Sequence, residues 1–71
     1  MSMTQKEMLR WHLENVGEID PQTALREYGI MRLASRICDL RREGMEIETE
    51  WRVSVNKFGK RTPYGVYRLA K

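Results

Sequence analysis

DPQTALREYGIMRLASRICDLRREG, residues 20–44, decides the fold of this chain, because it divides itself into two helices and the turn between them. Asp20 offers an oxygen to the orphan amides of a helix start, and Pro21 suits the first helical position because it needs no acceptor there. Ala24, Leu25 and Tyr28 form the expected apolar face of this helix, over about residues 21–28. Gly29 then supplies the left-handed residue that stops it. So few residues separate Gly29 from the next periodic run that the turn must be tight and the two helices must pack at an angle. In that run, over about residues 32–43, Leu33, Ile37 and Leu40 recur at i, i+4 and i+7. Ala34 and Cys38 lie beside them as expected core, and Gly44 ends the helix. The opposite face turns Arg32, Ser35, Arg36, Asp39 and Arg42 to solvent.

Upstream, Thr4 followed by Glu7 reads as a capping box, and Met8, Leu9, Leu13 and Val16 share one face of a helix over about residues 4–16. Gly17 ends it, and Glu18 and Ile19 form a short connection with room for one bridge of sheet. Downstream of Gly44 the period falls to two. Met45, Ile47, Thr49, Trp51, Val53 and Val55 alternate with Glu46, Glu48, Glu50, Arg52 and Ser54, the pattern of a half-buried strand over about 46–55 with Trp51 expected in the core. Two glycines and a proline in residues 56–65 predict a long, flexible hairpin loop. A second strand follows at about 65–70, with Tyr67 and Leu69 turned inward.

Helix, helix, helix, strand, basic loop, strand is the order of an α+β winged helix-turn-helix, one domain over residues 1–71. Its 71 residues, 8.5 kDa, 41% apolar and 32% charged, suit one small domain with a thin core and leave no room for a separate cofactor domain. One cysteine and one histidine allow neither an intrachain disulfide nor a Cys/His metal site, so no metal and no cofactor is expected. Nothing approaches the length of a membrane span, and the first residues are too polar for a signal peptide, so the chain reads as cytoplasmic. No nucleophile sits beside a base, no paired carboxylates suggest acid–base work, and no enzyme is expected.

The net charge of +3 conceals an asymmetry. Residues 1–51 hold all ten acids against seven Lys/Arg, whereas residues 52–71 hold Arg52, Lys57, Lys60, Arg61, Arg68 and Lys71 with no acid. A carboxylate-free basic stretch favours a polyanion, and double-stranded DNA is the expected partner.

The residues quoted so far carry a family likeness. The chain resembles the small helix-turn-helix domain proteins found mainly in phages and prophages. The resemblance spans nearly the whole chain and rests on Asp20-Pro21, Ala24-Leu25, Tyr28-Gly29-Ile30 and above all Arg32-Leu33-Ala34-Ser35-Arg36-Ile37 running into Asp39-Leu40-Arg41-Arg42-Glu43-Gly44. Ile47-Glu48-Thr49-Glu50-Trp51 and Tyr67-Arg68-Leu69 complete it. It implies a DNA-binding winged helix but names no biological process; the expected function is that of a phage or prophage regulator of transcription or of another DNA transaction, in the cytoplasm of a bacterial host cell. Similar sequences often carry Ser or Thr where this chain has Met31, and that loss of a cap costs about 1 kcal/mol.

On this reading Arg32, in the first turn of the third helix, contacts a guanine edge. Arg36 is open to two roles, a guanine contact or an ion pair. Ser35 and Asp39 complete the helix surface offered to a major groove. Lys57, Lys60 and Arg61 on the hairpin tip reach phosphates or the minor groove, with Phe58 and Tyr64 exposed beside them, and Gln22 and Thr23 donate to phosphate from the start of the second helix. Arg41 and Arg42 stabilise the negative helix end. His12 is expected at the surface or boundary, and Trp11 partly buried against the last strand. Glu46, Glu48 and Glu50 are expected as a solvated edge. So small a reading head suggests a homodimer on a two-fold site or a protein partner. The competing reading is a protein-interaction module that docks through Met8, Trp11 and the acidic strand face.

Overall fold

The capping signals resolve into real helix boundaries. A computed structural model describes residues 3–70, with helices α1 at Gln5–Asn15, α2 at Pro21–Tyr28 and α3 at Leu33–Arg42. The Thr4 side chain accepts from the Glu7 amide at 3.2 Å while the Thr4 amide donates to Glu7 Oε1 at 2.8 Å, closing the box. Asp20 Oδ1 accepts from the Thr23 amide at 2.7 Å ahead of Pro21. Gly29, at φ +68°, lets its own amide reach the Leu25 carbonyl and the Ile30 amide reach that of Ala24, so Ile30 folds back into the core. Arg32 is the residue flanking the start of α3 rather than part of its first turn, and no side chain caps that start.

Leu9 and Leu13 of α1, Ala24 of α2, Ile30 of the turn and Leu33, Ile37 and Leu40 of α3 pack together with Ile19 and Ile47. Lys6 and Arg10 of α1 both pair with Glu43 just past α3, the Arg10 contact at 3.1 Å, and so pin the two helices at one end. The stripes are narrower than the sequence pattern. Leu25, Val16, Ala34 and Cys38 were all expected inside and are exposed, because a core this small covers only the centre of each helical face. Trp11 is likewise half exposed.

His12 departs from expectation in the other direction. It is 5% exposed, with Nε2 at 2.9 Å from the Glu18 carbonyl and Nδ1 at 2.6 Å from the Tyr28 hydroxyl. The carbonyl can only accept, so Nε2 carries the proton and Nδ1 accepts from the tyrosine. Burial, followed by the nearby Glu27 carboxylate, holds the Tyr28 hydroxyl above its ordinary range, which keeps it a donor. One ring thus joins α1, α2 and the connection between them.

Strand β1, Ile47–Val55, pairs antiparallel with β2, Arg61–Leu69, in a register from Ile47↔Leu69 to Val55↔Arg61. Ile19 adds one bridge on the far side of β2 through mutual bonds with Tyr67. β2 begins four residues earlier than the expected 65, since Thr62, Pro63, Tyr64 and Gly65 are strand and not loop. Gly65 leaves room for the Tyr67 ring, whose hydroxyl oxygen would stand 3.3 Å from any Cβ placed there. Tyr67 and Leu69 pack against the core as expected, and Val66 is buried on the other sheet face.

Nine residues of strand reach about 30 Å, farther than the helices extend, so the hairpin tip and the Trp51, Val53 and Val55 face of its outer half stand free. Trp51 has inward parity yet is 70% exposed, and Val53 and Val55 follow it into solvent. The chain measures 42 × 29 × 20 Å, and its 12.8 Å radius of gyration exceeds the roughly 11 Å of a globular chain this long.

Candidate nucleic-acid interface

The tip is a tight turn, not the expected flexible loop. The Gly59 amide donates to the Asn56 carbonyl at 2.9 Å and the Asn56 amide to the Lys60 carbonyl at 3.0 Å. Asn56 Oδ1 accepts from the amides of Phe58 and Lys60. Gly59 sits at φ +80°, the left-handed residue this closure demands. Lys57 and Phe58 are thrust outward at the apex, with the ammonium 5.3 Å from the ring centre. Phe58 is 85% exposed, while Tyr64 is half-buried lower down the strand.

Charge is sorted along the hairpin. Near its base, Arg68 meets Glu50 at 2.8 Å and Arg52 meets Glu50 at 2.9 Å and Glu18 at 3.1 Å, with Glu48 3.6 Å from Arg68. Hydrogen bonds first from Arg68 and then from Arg52 hold the Glu50 carboxyl below its ordinary range. Glu48 and Glu50 are therefore engaged, not a solvated edge, and Arg52 and Arg68 are lost from the basic tail. Lys57, Lys60 and Arg61 have no ion-pair partner among the described residues, nor have Arg32 and Arg42.

Arg32 and Arg36 line one shallow recess with Gln5, Gly29 and Met31, where the starts of α1 and α3 meet. Arg36 also stands 3.5 Å from Asp39, so the ion pair is formed and the guanidinium remains partly exposed. Ser35, Ala34 and Cys38 extend the exposed surface along α3. Small side chains at Ala34 and Cys38 were missed as surface because their apolar character reads as core, yet they lower the profile of that helix face.

Arg41 joins this helix to the hairpin. Its guanidinium donates to the Ile47 carbonyl, at 2.6 Å from Nη2, and to Thr49 Oγ1 at 3.0 Å. The sheet face bearing Thr49 is thus on the α3 side, and strand alternation carries that face outward through Trp51, Val53 and Val55, with Arg61 opposite Val55. Gln22 lies elsewhere, in a recess with Asp20, Pro21, Ser54 and Tyr64, where the start of α2 meets the outer half of the hairpin. The Thr23 amide is occupied by Asp20, whose carboxylate stands where a phosphate would approach.

Comparison with curated proteins found no match, and comparison with solved structures found none. A family model described as a winged helix-turn-helix domain matches residues 4–71, so it takes in all three helices, the Arg41 latch and the whole hairpin. With its two helices about Gly29, a third ahead of them and a hairpin rising from the end of α3, this chain belongs to the winged helix-turn-helix domain family, a DNA-binding fold.

Proposed function

We propose that the protein binds double-stranded DNA with the exposed side of α3 in a major groove and the wing on the flanking backbone, as a regulator of transcription or of another DNA transaction in a phage or prophage, acting in the cytoplasm of the bacterial host. The observation that carries this reading is the sorting of charge, since ion pairs occupy the arginines at the hairpin base and leave Lys57, Lys60 and Arg61 at its tip. Arg32 supplies a guanine contact at the near end of α3, and Ala34 and Ser35 supply a thymine-methyl contact and a hydrogen bond. Gln22 reaches a phosphate beside the outer part of the wing, and Thr23 contributes through its side chain alone. Asp39 acts by holding Arg36 more than by reading a base. The phage assignment is supported by the run from Arg32 to Gly44. Engagement of Glu48 and Glu50 with arginines weighs against the acidic strand face as a protein-docking surface.

Salt dependence tests the proposal. With Arg32, Arg42, Lys57, Lys60 and Arg61 on phosphates or bases, log affinity falls with log salt at a slope of about −4 to −5, and Lys60→Ala lessens that slope by about one. A flat response, or no binding to any duplex in a random pool, overturns it.

A further inference from the structure

The two outer edges of the hairpin are treated differently by the sequence. The Ala70 amide donates to the Glu46 carbonyl and the Asn56 amide to Lys60, so the even-numbered residues of β1 point their backbone groups at β2. By alternation the odd-numbered residues point theirs outward. On β2 that outer edge is protected. Tyr67 is paired with Ile19, and Pro63 has no amide proton to offer. On β1, among the described residues, only the Ile47 carbonyl is taken, by Arg41. The amides and carbonyls of Thr49, Trp51 and Val53 face outward, with no proline and no bulge among them, and Trp51 stands exposed at the centre.

The sequence about Trp51 is self-complementary. We infer that this edge pairs with the same edge of a second copy, antiparallel and two-fold about Trp51, joining two wings into a four-stranded sheet. In that register Trp51 lies opposite its own counterpart and Thr49 opposite Val53, all with outward backbone groups, as hydrogen-bonded pairs require. Glu50 of each copy falls opposite Arg52 of the other, on the face where these residues already pair within one chain. No other centre between Thr49 and Val53 places these charges opposite each other while matching the free backbone groups. The two-fold axis stands perpendicular to the sheet, so both α3 helices lie on one side of it. This inference depends on the β1 edge alone and is tested without DNA, so its failure and that of the DNA reading are separable.

Sedimentation velocity of the full chain over a broad concentration series reads the outcome. The expected result is a reversible monomer–dimer equilibrium whose dissociation constant rises about tenfold or more in Val53→Pro. The amide removed there faces away from β2, so the hairpin itself persists and circular dichroism checks it. Oxidative cross-linking in a Cys38→Ser background fixes the register. Trp51→Cys forms a covalent dimer, because directly opposed residues of such a pair have Cα atoms about 5.5 Å apart, and Val55→Cys does not. A chain that stays monomeric at every concentration overturns the inference. A dimer indifferent to Val53→Pro, or Val55→Cys linking as fast as Trp51→Cys, overturns it equally.

Discussion

His12 shows how much a single ring carries in a core this thin. It donates to the Glu18 carbonyl and accepts a hydrogen bond from the Tyr28 hydroxyl, so removing it leaves two part-buried polar groups without this partner. His12→Phe keeps the volume and loses both bonds, with an expected cost of about 2–3 kcal/mol in urea unfolding. Tyr28→Phe costs less, and the double variant falls short of the sum because the second loss is already included in the first. Sequence alone did not reveal this. A histidine on a helix gives no sign of which carbonyl the next turn of chain brings within reach. Arg41 is similar, since its place near the end of α3 predicts a stabilising role but not that its partners are Ile47 and Thr49 on a strand.

At the level of elements, what was legible was local. Thr4 with Glu7, Asp20 with Pro21, and Gly29 each act within a few residues, and each forms the boundary that its chemistry predicts. What was not legible depended on how far an element projects. The alternation from Ile47 to Val55 is correct as a strand pattern, but parity assigns a face and not a cover, and beyond Thr49 there is nothing to cover Trp51. Residues 62–65 read as loop because Pro and Gly usually end strands, whereas here Pro63 sits where its missing amide would have faced outward. The wing tip gives a prediction of its own. Asn56→Ala removes the acceptor for two amides, so exchange of the Phe58 and Lys60 amide protons quickens in NMR and duplex affinity falls severalfold. The unfolding midpoint hardly moves, because the tip touches no part of the core.

For the molecule as a whole, acid is the sensitive direction. Glu7, Asp20, Glu43 and Glu50 all have carboxyls held below their ordinary values. For Asp20 the desolvation that opposes this is outweighed by the bonds from Thr23. For Glu43 the hydrogen bond from Lys6 leads. A carboxyl with a folded value below its unfolded one contributes stability above the unfolded value and loses it as pH falls through the folded one. The urea midpoint is therefore expected to fall as pH drops below about 4.5, and Glu43→Gln flattens part of that fall. The pairing at the hairpin base has a larger-scale result. The three cations at the tip equal the net +3 of the chain, so the rest of the molecule sums to zero and the charge sits at one end of a 42 Å body. Such a body feels a torque as well as a pull near a line of negative charge. On the proposed reading it swings tip first before it touches, and the wing is the pivot about which α3 would find its groove.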